Sequence, residues 1–215
     1  MNDGDLREQL VWQARRLLAA GLVKGTSGNL SARAVSGDTC LITPSGVDYE
    51  SMRPEDIVAV DMAGEPLGPG LKPSVDTPVH VAIYRARRDV AACIHTHSLY
   101  AAAFSVVRRP IPPLLAESAG VLGGGVRVID YVPPARTDTG DAVARGLGAD
   151  RAVLLPNHGV IAVGADLGQA FAAAVAVEES AHVAYLAEQL GRPEPVAGSE
   201  IARMHDFIHN RYGQR

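Results

Sequence analysis

The run Ala91-Ala92-Cys93-Ile94-His95-Thr96-His97-Ser98 constrains this chain more than any other. Its first half is small and apolar and reads as a buried strand. Helical spacing flanks it: Val79, Ala82, Ile83 and Ala86 mark one stripe over 75–88, and a second helix is expected over 98–107. On a strand, side chains at i and i+2 share a face, so His95 and His97 project together while Thr96 turns away. They do so at the strand's carboxyl end, where α/β sheets tend to place ligands. Two imidazoles on a rigid strand make half of a metal site, although two unrelated histidines at a strand end satisfy the same short pattern.

The remaining segments interleave strands and helices, which argues for an α/β chain with a sheet covered by helices. Leu6, Leu10, Val11, Ala14, Leu17 and Leu18 recur at helical spacing over 5–20, before Gly21. Strands are expected at 40–42, 57–61 and 126–131. A short helix over 138–147 stops at Gly148, and two strands across 152–163 fold about Asn157-His158-Gly159. His158 thus ends one strand as His97 ends another. A long Ala-rich helix over 165–190 and a last helix over 198–211 close the order. Residues 24–31 read as a polar turn around Gly25 and Gly28, able to bring backbone N–H groups and hydroxyls near an anion. Thr43-Pro44-Ser45-Gly46 reads as a second such turn. Asp76 falls in the first turn of the 75–88 helix, where a carboxylate suits the macrodipole, and Asp76 or Ser74 reads equally well as its N-cap. Asp76 and His80 stand at i and i+4 on one helix face.

With no linker and no internal repeat, residues 1–215 read as one domain. A net charge of -4 gives no pull toward nucleic acid or an anionic membrane, and no apolar run approaches the ~18 residues of a membrane span. The two cysteines, Cys40 and Cys93, sit in apolar runs with no zinc or redox spacing, and read as reduced core residues. The start, Met-Asn-Asp-Gly-Asp, lacks a basic segment followed by an apolar one, so a cytoplasmic location is expected.

Five segments, in order, resemble the class II aldolase/adducin family: Gly25-Thr26-Ser27-Gly28-Asn29-Leu30-Ser31, Ile42-Thr43-Pro44-Ser45-Gly46, Lys72-Pro73-Ser74-Val75-Asp76, Ile94-His95-Thr96-His97 and Asn157-His158-Gly159. The resemblance runs nearly end to end. It implies a three-layer α/β/α sandwich around a mainly antiparallel central sheet. It also implies a C4 homotetramer with active sites between neighbouring subunits. Position by position, His95, His97 and His158 are similar to the family's zinc-binding histidines, a set that leaves an open coordination position. Imidazole sites also accept Mn2+ or Co2+. At Asp76 the family's aldolases hold a glutamate that serves as metal ligand and general base, and its epimerases hold aspartate. Thr26, Gly28, Asn29, Ser45, Gly46 and Ser74 match the family's phosphate pocket. Tyr212 matches a tail tyrosine that reaches a neighbouring subunit's site.

The chain departs from the family twice. Val75 replaces a serine of the phosphate pocket, removing one hydroxyl. Ala116 stands about where aldolase members carry a proton-donating tyrosine, with Glu117 beside it as a candidate acid–base group. The resemblance implies a metal-dependent carbon–carbon lyase, an aldolase cleaving a small ketose phosphate to a dihydroxyacetone-phosphate-type enediolate and an aldehyde. A decarboxylase of a hydroxy or keto acid, favoured by Val75 and Ala116, reaches the same enolate by losing CO2. A sugar-phosphate 4-epimerase, favoured by Asp76-Thr77-Pro78, cleaves and re-adds. Retention of three histidines and Asp76 argues against a non-enzymatic adducin-like module. His80, His182, His205 and His209 match no ligand position and read as structural or surface residues.

Overall fold

Alternation along the strands decides the architecture. In Asn29–Arg33 (β1), Leu30 and Ala32 enter one apolar cluster, while in Ala92–Thr96 (β4) Ala92 and Ile94 join the same cluster and Cys93 enters a second one on the opposite face. Gly159–Gly164 (β7) divides likewise, Val160 and Ala162 to the first cluster, Ile161 and Val163 to the second. A sheet apolar on both faces must be covered on both, and each fully buried Leu or Ile contributes on the order of 2 kcal/mol to closing it.

The structure, a computed structural model, describes residues 2–133 and 138–213. With Thr39–Ile42 (β2), Val58–Asp61 (β3), Arg127–Val128 (β5) and Ala152–Leu155 (β6), the strands form one sheet in the order β3-β2-β1-β4-β7-β6-β5. Every pairing is antiparallel except β5 with β6. One face carries Asp3–Ala19 (α1), Leu99–Val106 (α3), Ala116–Leu122 (α4) and Leu167–Leu190 (α6). The other carries Thr77–Ala86 (α2) and Thr139–Leu147 (α5). The helix Gly198–Asn210 (α7) packs outside α4. The expected α/β/α sandwich around a mainly antiparallel sheet is therefore present.

Local signals explain the helix ends. Asn2 and Asp5 form a reciprocal capping box at the start of α1. In α6, Ala170, Ala173, Ala174, Val177, Ala181 and Ala184 give a buried stripe of small side chains that lies close on the sheet. Asp166 caps that helix through Gln169 N, so it begins at Leu167 rather than at 165. Among the described residues no helix is long and apolar enough to cross a membrane.

Three elements depart from the sequence reading. Asn29–Arg33 is a strand, not the end of a polar turn; its polar residues Asn29 and Ser31 face buried partners, which hid the period-2 signal. Ala116–Leu122 is a helix with no counterpart in the sequence pattern, too short and too rich in small residues to show a period. Of the strand expected over 126–131, only Arg127–Val128 pairs with β6, while Val126 forms a separate antiparallel bridge with Ile111.

Candidate active site

The site is built where β1 and β4 lie side by side. Asn29 is directly opposite His95 in the register, and both point toward α2. His95 is buried, and its Nδ1–H donates to the Val160 carbonyl at 2.9 Å, which leaves the Nε2 lone pair facing outward. His97 Nε2 lies 2.9 Å and His158 Nε2 3.2 Å from that nitrogen. The possible ligand atoms of the three rings all lie within 4.8 Å of one another. His95 Nε2 can accept but not donate, so three such nitrogens around one point suit a shared cation better than they suit one another.

His158 arrives from the β6–β7 turn. Asn157 adopts a left-handed conformation there, with φ 57°. Gly159 then passes so close to β4 that a Cβ would overlap the Thr96 carbonyl oxygen and lie 2.9 Å from His97 Cδ2. The missing side chain is what lets the two histidine-bearing segments meet.

Asp76 occupies the N-cap position of α2, yet its side chain makes no capping hydrogen bond. The carboxylate turns into the site instead. Its Oδ2 accepts from Asn29 Nδ2 at 2.7 Å and stands 3.9 Å from His95 Nε2. Burial opposes ionisation of Asp76, but the pull of His95, the Asn29 hydrogen bond, and the more distant His80 and His158 outweigh it and hold the carboxyl below its ordinary range. Burial likewise drives His95 down to about 3, against the attraction of Asp76, and lowers His97. All these shifts favour neutral imidazoles and an ionised carboxylate, the protonation states that bind divalent cations.

Thr26, Gly28, Asn29, Ser45, Gly46 and Ser74 all line one cleft of about 250 Å3, whose wall also includes Asp76, His97 and His158. The polar turns read in the sequence therefore converge beside the histidines. Gly28 has φ 76°, and a Cβ there would come within 2.7 Å of the His95 carbonyl oxygen. Tyr49, which no sequence signal singles out, is buried and donates its hydroxyl to the Gly28 carbonyl at 2.8 Å, fixing the turn. Val75 is exposed and lines the same cleft.

A second cavity, of about 150 Å3, opens on the other side of Asp76, His95 and His158. Its walls are mainly apolar, with Val79, Ile129, Val132, Val143, Leu155 and Ile161. The two cavities share Asp76 and His158, so one polar and one apolar chamber meet at the histidine cluster.

Glu117 and Tyr212 are not brought there. Glu117 is exposed in the first turn of α4, and Tyr212 is exposed beyond α7 with its ring 5.8 Å from Phe207. Neither lines the two cavities. His182 stacks on Tyr100, while His205 and His209 meet the carbonyls of Gly120 and Val121. His80 is fully buried within hydrogen-bonding distance of Asn29 and Ser31. Its i, i+4 relation to Asp76 was the one signal that pointed to this position.

Residues 8–185 match the family described as Class II Aldolase and Adducin N-terminal domain. The chain is 38% identical over 199 residues to a 5-methylthioribulose-1-phosphate/5-deoxyribulose-1-phosphate aldolase of Rhodospirillum rubrum, covering 93% of this chain and 89% of that one. It is 32% identical over 209 residues to a 5-deoxy-D-ribulose 1-phosphate aldolase of Bacillus thuringiensis serovar kurstaki, covering 97% of each. A solved L-fuculose 1-phosphate aldolase superposes with a TM-score of 0.89 at 32% identity, over 95% of this chain and 96% of that one.

Proposed function

The chain belongs to the class II aldolase and adducin N-terminal domain family, and from that premise we propose that it is a metal-dependent aldolase cleaving a ketose 1-phosphate whose aldehyde half ends in an apolar group. One observation carries the reading: three imidazole nitrogens and a carboxylate converge where a polar cleft meets an apolar cavity. Two of the named relatives act on 5-deoxy and 5-methylthio ketose 1-phosphates, and an apolar chamber of about 150 Å3 suits such a terminus better than a hydroxylated one.

His95, His97 and His158 would hold a divalent cation, zinc by preference for an all-imidazole set, which when bound supplies Lewis acidity at the substrate's carbonyl and neighbouring hydroxyl. The residues present fit such an ion, since the one nitrogen of His95 left without a proton faces the other two rings. Thr26, Asn29, Ser45 and Ser74, with the backbone at Gly28 and Gly46, would hold the phosphate through hydroxyl, amide and N–H donors. In the cleavage direction the C4 hydroxyl gives up its proton and the C3–C4 bond breaks. The C4 fragment leaves as the aldehyde, and the electron pair left at C3 is protonated through Asp76, which, ionised at rest, takes up and passes on the proton released by the C4 hydroxyl. Asp76 lines both chambers, the position this role requires. Tyr212 of a neighbouring subunit would exchange the proton of the C4 oxygen, and Glu117 is the second candidate for that role.

A C4 homotetramer is part of the proposal. The exposed apolar residues Leu99 on α3 and Tyr185, Leu186 and Leu190 on α6 support a subunit contact. Two buried free thiols, Cys40 and Cys93, support a reducing, cytoplasmic setting.

The test is a cleavage assay of the zinc-loaded protein with ketose 1-phosphates differing only at C5, following dihydroxyacetone phosphate release. Turnover should be fastest with 5-deoxy or 5-methylthio substrates and vanish after chelation. Failure to cleave any ketose 1-phosphate would overturn the reading.

A further inference from the structure

A chain of buried polar groups runs from α2 through β1 to the carboxylate of the site. Tyr84 Oη lies 2.7 Å from Ser31 Oγ, Ser31 Oγ 2.6 Å from His80 Nδ1, His80 Nε2 2.6 Å from Asn29 Oδ1, and Asn29 Nδ2 2.7 Å from Asp76 Oδ2. Tyr84, Ser31 and His80 are fully buried and Asn29 nearly so, hence each group must be satisfied within the chain itself.

The direction of every bond follows from its last member. An ionised Asp76 only accepts, so the Asn29 amide nitrogen donates to it. Asn29 Oδ1 therefore faces His80 and accepts, which requires the proton of His80 on Nε2. Burial holds His80 down at about 4, against the attraction of Asp76, so the ring is neutral and its Nδ1 must accept from Ser31. Ser31, having given its hydrogen to His80, accepts from Tyr84. All four donors point toward Asp76. Turning the Asn29 amide over would set its oxygen against the carboxylate, two acceptors 2.7 Å apart.

We infer that His80 is a positioning residue: through Asn29 it fixes the orientation in which Asp76 meets the three histidines. The inference rests on Asp76 being the carboxylate of the proposed site. His80 lines neither cavity. Its action is to deny Asn29 its other rotamer, and so to keep a donor on Asp76 without adding a charge that would compete with the cation.

The test pairs two variants with one measurement on the unaltered protein. His80→Asn cannot place a donor at the Nε2 position, whereas His80→Gln, whose longer amide reaches it, can. Loss of the donor should lower kcat about 10- to 100-fold and weaken zinc retention against a competing chelator over a similar range, with KM little changed. The Gln variant should recover most of both. Nitrogen-15 spectra of histidine-labelled protein should show His80 neutral, with its proton on Nε2.

A proton found on Nδ1, or an Asn variant that loses only thermal stability while keeping kcat and zinc affinity, would overturn the inference. If the Asn variant does not fold, the tautomer decides alone. If the protein cleaves no ketose phosphate, the proposed activity fails, while tautomer and chelator competition still decide the role of His80.

Discussion

Acid should unfold this protein partly through His80. The perturbation is a pH change from 8 to 5, made in chelator so that no cation binding enters. Burial depresses this imidazole from its ordinary 6.5 to about 4 in the folded chain, while in the unfolded chain it regains 6.5. Between those values the unfolded state binds a proton that the folded state refuses, so stability is complete above 6.5 and declines as pH falls toward 4. At 1.36 kcal/mol per pH unit the loss from this group is about 2 kcal/mol by pH 5 and about 3 kcal/mol once both states are protonated. Other carboxyls and histidines titrate over the same range, so the contribution is read as a difference. Urea unfolding of the native chain and of His80→Gln at several pH values gives two stability curves, and the native one should fall about 2 kcal/mol further between pH 8 and pH 5. Parallel curves would mean that His80 titrates normally, and that the neutral, acceptor-bearing ring assigned to it is wrong.

Three other expectations are direct. Gly159→Ala should cost about 1–3 kcal/mol in urea unfolding, because its methyl meets the Thr96 carbonyl, and should weaken zinc retention by driving His158 from His97. Unchanged zinc affinity would show that the close approach is incidental to the site. Cys40, pushed up to about 12 by burial, and Cys93, also raised well above the usual thiol range by burial, should resist a thiol reagent in the native protein and react fully in denaturant. Val132→Ser should reduce kcat/KM about 10-fold for a 5-deoxy substrate and less for a 5-hydroxy one, comparing initial rates; equal losses would remove Val132 from the pocket that reads the aldehyde.

Much of the histidine cluster is legible in the sequence because it follows from a period and a turn. His-x-His on a strand needs only side-chain alternation, and Asn157-His158-Gly159 announces a tight reversal. That these two segments meet is a long-range fact, carried by the β4–β7 pairing, and it was reached through family resemblance rather than through spacing. Asp76 could be read as a cap or as a ligand from position alone; only its geometry, with no capping bond and a 2.7 Å hydrogen bond from Asn29, separates the two. His80 reads as a structural or surface residue in the sequence because its partners lie about fifty residues away, on a strand whose alternating polar residues resemble a turn. A buried polar network has no sequence period of its own, since each link depends on which residues the sheet register brings opposite one another. Tyr49, which ties down the Gly28 turn, was hidden for the same reason.

The two chambers draw on different stretches of the chain. The polar one takes its walls from residues 26–76 together with the histidines, and the apolar one, apart from Asp76, Val79 and His95, from residues 129–161. On the proposed assignment of the phosphate-bearing fragment to the polar chamber and of its departing partner to the apolar one, recognition of the two can drift independently. Replacing the bulky side chains behind Leu155 would then retune which aldehyde is tolerated without loosening the grip on the common three-carbon piece, so a lineage built on this scaffold could change diet by altering one half of its wall.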